Sequence, residues 1–367
     1  MTDSFFVPSF GNRPKQLVGR ESVLNQFEMV FRSVPGSRER ALVILGQRGS
    51  GKTVLLLELA EMARKKGFIV SDPTVVSKGM QNRIIEKLSD EYPYYSSSSQ
   101  KKISGGSVSV LGFGAGIQFN NQTAEERSFS WKISEFCKKA NEDHHGVMIL
   151  IDEVKSGNEE LKEIVIAYQE MVGEGLDVAI VFAGLPMAVS SLLNDHVLTF
   201  LNRAVKIELP LLRIDDIEIY YRKAFASIGI SISDSLIRQA AEETCGSPYL
   251  MQLIGHYIAL NYDEGFSESQ FRDSLEYAKK TFKNDICGTS LASLSKQDIC
   301  FLSAMSEDDG ESSVEDISIR MKKNASFVQT YKRRLQQCGI IEASGWGLVS
   351  FAIPYLKEYL REQNGLN

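Results

Sequence analysis

The eight residues Gly46-Gln47-Arg48-Gly49-Ser50-Gly51-Lys52-Thr53 constrain this chain more than any other feature. They satisfy the pattern G-x-x-x-x-G-K-[ST] in full. The apolar run 41–45 before them has the character of a buried strand. Residues 53–66 after them read as an amphipathic helix closed by Lys65-Lys66-Gly67. Strand, glycine loop and helix together make an anion trap. Glycine adopts positive φ at little cost, so successive N–H groups can close round a phosphate, and the helix start adds its positive end. In that frame residues 46–53 and Val54 are the expected phosphate contacts. Lys52 supplies a point charge to the β- and γ-phosphates, and the Thr53 hydroxyl is a ligand for Mg²⁺. The competing reading, a glycine-rich turn with no ligand, does not account for the complete pattern in this setting.

A phosphate loop alone leaves water activation unexplained. Val147-Met148-Ile149-Leu150-Ile151 is a continuous apolar run suited to a strand buried on both faces, and Asp152-Glu153 follows at its end. Open α/β sheets bind ligands at that end of their strands. Asp152 is the expected second metal ligand and Glu153 the residue that polarises the attacking water. The alternative is a strand that simply ends in a solvated acidic turn. Further apolar runs alternate with helical patterns: strands near 68–76 and 177–183, helices near 77–91, 125–142 and 158–173. This alternation predicts an α/β fold, a parallel sheet with helices on both faces.

The chain of 367 residues has room for two or three domains. A net charge of −6 and a pI near 5.5 argue against a wholly basic nucleic-acid-binding surface, though not against one local basic face. The first residues lack the basic and apolar regions of a signal peptide. The longest apolar stretch, 178–189, is broken by Gly184 and Pro186 and is too short for a bilayer. Cys137, Cys245, Cys287, Cys300 and Cys338 are scattered without a C-x-x-C pair, so reduced thiols and a cytoplasmic location are expected, with neither a zinc site nor a disulfide framework.

With these motifs the chain resembles the AAA+ P-loop ATPases, in particular the branch joining origin-recognition/Cdc-like ATPases with STAND-like ones. Beyond the two Walker motifs, four segments carry the resemblance. Leu17-Val18-Gly19-Arg20-Glu21 is similar to the V-G-R-E box near the adenine. Ala183-Gly184-Leu185-Pro186 resembles the end of the sensor-1 strand, and Phe200-Leu201-Asn202-Arg203-Ala204 the segment that often carries an arginine finger. Cys245-Gly246-Ser247-Pro248-Tyr249-Leu250 resembles the G-x-P motif of the helical lid. The resemblance implies ATP or ADP with Mg²⁺, nucleotide contacts at Val18, Gly19, Arg20, Pro248 and Tyr249, and Arg203 acting catalytically across a subunit boundary. Arg20 is alternatively a cap for a helix over 22–32, and Arg203 a surface arginine. Two departures point to slow turnover, with nucleotide acting as a switch. Val181-Phe182-Ala183 offers no polar side chain for sensor 1, and no arginine adjoins Gly246-Ser247-Pro248 for sensor 2.

Residues 93–122 interrupt the core. Ser96-Ser97-Ser98-Ser99 and Gly105-Gly106 mark loop, and the alternation over 107–119 suggests a hairpin, with Lys101-Lys102 at its base. A tolerated surface insertion is one reading, an element that contacts DNA or a neighbouring subunit the other. The expected core is 1–210. A helical lid over 211–287 follows, with helices at 214–228, 233–244, 248–263 and 267–283. The remainder, 288–367, has helices at 295–305, 313–321 and 326–338, a two-strand wing around Ser344-Gly345-Trp346, and a final helix at 354–362, which is the winged-helix pattern. Its third helix carries Gln329, Lys332 and Arg333, suited to phosphate and base-edge contacts with double-stranded DNA. Acidic residues Glu307, Asp308, Asp309 and Glu311 nearby leave a second output open: a STAND-like signalling or defence ATPase whose winged helix contacts a protein, with self-association as a further partner expectation.

Overall fold

The computed structural model describes residues 5–8, 14–94, 127–155, 157–186, 188–189, 199–263, 266–292 and 294–365. The hairpin expected at 107–119 and the Lys101-Lys102 pair lie outside the described residues.

The apolar runs become the strands of one parallel sheet. These are β1 (Ala41–Leu45), β2 (Ile69–Val75), β3 (Val147–Asp152), β4 (Val178–Gly184) and β5 (Val205–Glu208), in the order β2-β3-β4-β1-β5. β3 and β4 are buried along their whole length, which requires helices on both faces. On one face, α1 (Glu21–Arg32) and α2 (Lys52–Lys65) send Phe27, Leu55 and Leu59 against Leu42, Ile44 and Leu150. On the other, α3 (Met80–Glu91), α4 (Phe129–Glu142) and α5 (Glu159–Gly173) bury Ile84, Phe136 and Ile164 against Val43, Ile149 and Ile151. β5 was not anticipated. It is a short edge strand in which only Ile207 is buried, so it carries almost no apolar signal.

Four helices follow the sheet: α6 (Ile214–Ser227), α7 (Asp234–Glu243), α8 (Pro248–Asn261) and α9 (Glu268–Phe282). Their starts are chemically marked. Ser233, Ser247 and Ser267 each accept from a backbone N–H two or three residues into the helix, and Ser267 with Gln270 forms a capping box. α9 runs on as a π-helical turn, Lys283–Gly288, and then α10 (Thr289–Ala292). The last unit contains α11 (Lys296–Ser306), β6 (Ser312–Ser313), α12 (Val314–Met321), α13 (Ala325–Gln337), β7 (Ile341–Gly345), β8 (Leu348–Phe351) and α14 (Leu356–Asn364). β8 pairs antiparallel with both β6 and β7.

A single apolar cluster joins α6–α9 to this last unit, running from Phe282 and Cys287 to Phe301, Leu302 and Leu356. Phe6 belongs to the same cluster. Its ring lies 5.3 Å from Phe225 and 5.9 Å from Tyr220, and it fills the space above Gly255 in the middle of α8. A Cβ on Gly255 would meet that ring at 2.3 Å. Two effects then oppose each other in Gly255→Ala: helix propensity favours alanine by about 1 kcal/mol, whereas overpacking costs about 1–3 kcal/mol. The contact is with ring atoms that are themselves walled in, so overpacking wins. Urea unfolding is expected to show Gly255→Ala less stable than the natural protein, and more nearly neutral when Phe6 is also changed to Leu.

Candidate nucleotide-binding site

The glycine loop leaves the C-terminal end of β1 and enters α2 through Gly51, whose φ of +88° and Gly49's of +74° supply the left-handed turns the loop needs. β4 lies between β1 and β3, and the parallel register levels Val43 and Ile151 with the same residue, Phe182. The acid pair therefore emerges beside the loop. Thr53 Oγ1 donates to Asp152 Oδ2 at 2.6 Å. Asp152 Oδ1 accepts from the Glu153 N–H at 2.8 Å, and Glu153 itself sits at φ +52°. A non-glycine residue in that region stores roughly 1–3 kcal/mol of strain, as residues at functional sites often do.

Lys52 Nζ donates to Gly46 O at 2.9 Å and Gln47 O at 2.8 Å. Burial pushes its pKa down to about 8; Asp152 and Glu153 oppose that shift and Arg48 adds to it. Arg20 is buried, and its guanidinium donates to Pro210 O at 3.0 Å and Ser50 O at 3.3 Å. It braces the loop against the segment after β5 and makes no side-chain cap bond to α1.

These groups open on a cavity of about 630 Å³. Its walls come from four parts of the chain: the loop 48–55 with Asp152 and Glu153, residues 14, 16–18 and 20 with Val7, Gly184, Leu185 and Ala188 at the end of β4 and just after it, and Pro248, Tyr249, Met251 and Gln252 of α8 with Asp285 and Ile286. Thr53 and Asp152 present two hard oxygens side by side. That fits an ion held by few protein ligands, with waters and phosphates completing its shell.

Known proteins share this fold. Residues 16–166 match the AAA ATPase domain family, and residues 284–360 match a domain of unknown function, DUF8462. The Walker-type ATPase PABY2304 of Pyrococcus abyssi superposes with a TM-score of 0.68 at 15% identity, covering 95% of this chain and 97% of that one. The ORC2 protein of Aeropyrum pernix, in its ADPNP–ADP complexes, gives 0.64 at 13% identity with 98% of both chains covered. The Cdc6p of Pyrobaculum aerophilum gives 0.50 at 16% identity over 99% of this chain and 100% of that one. No curated protein matches the sequence. The fold is that of the AAA+ P-loop ATPases.

Within this AAA+ fold the sequence-predicted residues fall into three groups. Arg48, Gly49, Ser50, Gly51, Lys52, Thr53, Val54, Asp152, Glu153, Val18, Arg20, Pro248 and Tyr249 line the cavity together. Gly46, Gln47 and Gly19 do not. Gly46 and Gln47 form the back of the loop, and Gly19 turns toward Leu212 and Asp216. Arg203 ends a 3₁₀ turn, Thr199–Arg203, exposed and away from the cavity of its own chain. Gln329 and Arg333 are exposed one turn apart on α13, with Lys332 half-buried between them. Arg334 is held by the fully buried Asp298 at 3.2 Å.

Val7, Gln252, Asp285 and Ile286 were missed. Gln252 Oε1 accepts from the Val7 N–H at 3.1 Å while its Nε2 donates to Tyr220 Oη at 3.3 Å, and Tyr249 Oη donates to Asp285 Oδ2 at 2.6 Å. The only advance signal was the Phe5-Phe6 pair, apolar in an otherwise polar stretch.

The depressed Lys52 pKa has a testable consequence. The folded value lies below the ordinary 10.5, so the charge is present below about pH 8 and is lost as pH rises through it. Phosphate binding that needs the ammonium should weaken above about pH 8, approaching about tenfold per pH unit. Calorimetric titration with an adenine nucleotide checks this, and Lys52→Met should remove most of the pH dependence.

Proposed function

We propose that this chain is a Mg²⁺-dependent ATPase that acts as a nucleotide switch. It is organised as a core over 1–210, a lid over 211–287 and a winged helix over 288–367, and works in the cytoplasm. The observation that carries the proposal is the Thr53–Asp152 contact beside Lys52, inside a cavity large enough for a nucleoside triphosphate. In this reading Lys52 holds phosphate charge, Thr53 and Asp152 hold the ion, and Glu153 orients the attacking water. The bound ion neutralises the charge that develops on the phosphates. The wholly apolar β4 and the Pro248–Tyr249 start of α8, without an arginine, favour slow turnover and a switching role for ATP and ADP. The exposure of Arg203 supports a role toward a neighbouring copy, so self-association is part of the proposal. Glu153→Gln is expected to keep nucleotide affinity within a fewfold and to lose turnover by roughly two orders of magnitude. Phosphate release under single-turnover conditions measures it, and unchanged turnover would remove Glu153 from its role.

For the C-terminal unit, the order α11, β6, α12, α13 and then the β7–β8 hairpin supports a winged helix. The exposed Gln329 and Arg333 with Lys332 support double-stranded DNA as its ligand. A second reading, a STAND-like signalling ATPase whose C-terminal unit binds a protein, is favoured by apolar exposure on the same unit. Ile319 is 68% exposed, and Trp346 at the hairpin tip is fully so. The double change Lys332→Glu and Arg333→Glu separates the two readings. DNA binding predicts a loss of at least about tenfold in duplex affinity and a log–log salt slope smaller by about 2. A duplex affinity equal to that of the natural protein points to the protein partner.

A further inference from the structure

Gly339 ends α13 in a left-handed cap. Its φ is +66°, its N–H donates to Gln336 O at 3.0 Å, and the next N–H, of Ile340, donates to Leu335 O at 3.0 Å. That geometry alone would favour glycine. A second observation has nothing to do with capping. A Cβ on residue 339 would lie 2.4 Å from Gln47 Oε1 and 3.2 Å from Leu185 Cδ2. Gln47 belongs to the phosphate loop, far earlier in the sequence. Its Oε1 is buried and has no hydrogen-bond partner among the described residues. The end of α13 is therefore seated on the back of the loop, close enough that a side chain at 339 must displace the Gln47 amide. A cavity of about 370 Å³ continues this contact, with loop residues 46–50 on one wall and Glu342, Ala352 and Pro354 on the other.

Gln47 is no bystander within the loop. Its carbonyl accepts from Lys52 Nζ at 2.8 Å and from the Ser50 N–H at 3.3 Å. One residue thus presents its amide to Gly339 and its carbonyl to the ammonium.

We propose that Gly339 is a positioning residue for the phosphate loop: through Gln47, the C-terminal unit sets the loop conformation that orients Lys52. The inference rests on the nucleotide site proposed above and is independent of what α13 binds. It makes the coupling two-way. A ligand that displaces α13 alters nucleotide affinity, and nucleotide alters the seat of α13 by the same factor. The helix that bears the exposed Gln329 and Arg333 thus ends on the back of the proposed triphosphate site.

The test is a double-mutant cycle in the full-length chain: Gly339→Ala, Gln47→Ala and the two combined, with Gly347→Ala as the strain control. Gly347 has φ +77° and nothing within 4 Å of its would-be Cβ, so its substitution carries backbone strain without a contact. Two readouts are taken: titration with a fluorescent ATP analogue, and hydrogen exchange at residues 46–53 without nucleotide. Gly339→Ala should weaken binding about tenfold more than Gly347→Ala does, within the usual span of coupling energies, and should speed exchange in the loop. In the Gln47→Ala background the same Gly339→Ala step should cost no more than the strain control.

An equal loss in both backgrounds, or a loss no greater than the control, overturns the proposal. If the natural protein binds no nucleotide, the function proposed above fails, and loop exchange alone then decides this contact. If Gly339→Ala does not fold, Gln47→Ala decides: exchange at 335–341 must rise, and unchanged exchange there rejects the coupling.

Discussion

The hydrogen bond from Thr53 to Asp152 spans 99 residues of sequence, and much else exists to make it form. It requires β1 and β3 to lie in one parallel sheet with β4 between them, in a register that ends the two strands within one residue of the same level. A parallel sheet of this kind is buried on both faces, and its strands are accordingly apolar on both sides. Full burial in turn requires helices above and below. The core of the molecule follows from placing one hydroxyl beside one carboxylate at the lip of an anion-binding loop.

The helices α6–α9 and the C-terminal unit stand in a different relation to the site. The first turns of α8 form one wall of the cavity, where Ser247 caps the helix and Pro248 occupies an early position that lacks a donor to satisfy. The C-terminal unit reaches the loop from behind. Both share one apolar cluster, so neither can shift far without repacking the other. The π-helical turn Lys283–Gly288 is where they join. Asp285 faces the cavity from it, and the Cys287 thiol donates to Pro354 O at 3.6 Å. Such turns are uncommon inside long helices and tend to occur where function needs a side chain re-aimed.

Most of the fold could be read in the sequence because its signals are local. The runs 41–45 and 147–151, the serines before α7, α8 and α9, and Gly339 after α13 all speak through near neighbours. Loop, acid pair and the start of α8 were legible as a cavity because each belongs to such a signal. What stayed hidden depends on distant partners. β5 holds its place by pairing with β1 rather than by its own apolarity. Phe6 looks like any exposed aromatic near a terminus until Gly255 provides its slot. Gln252 and Asp285 are ordinary helical polar residues, given meaning only by Val7 and Tyr249 opposite them. Gly46, Gln47 and Gly19 belong to recognisable motifs, but a motif does not say which of its residues face the ligand and which face the rest of the protein.

The bare indole at the tip of the β7–β8 hairpin carries a practical corollary. The chain has only two tryptophans, and the other, Trp131, sits in α4 beside the Arg127 guanidinium, 5.0 Å from its ring. Trp346 emits from water, so whatever settles over that hairpin will shift its spectrum to the blue or quench it, against a steady background from α4. The molecule thus carries its own optical gauge of occupancy at the hairpin tip, needing no label.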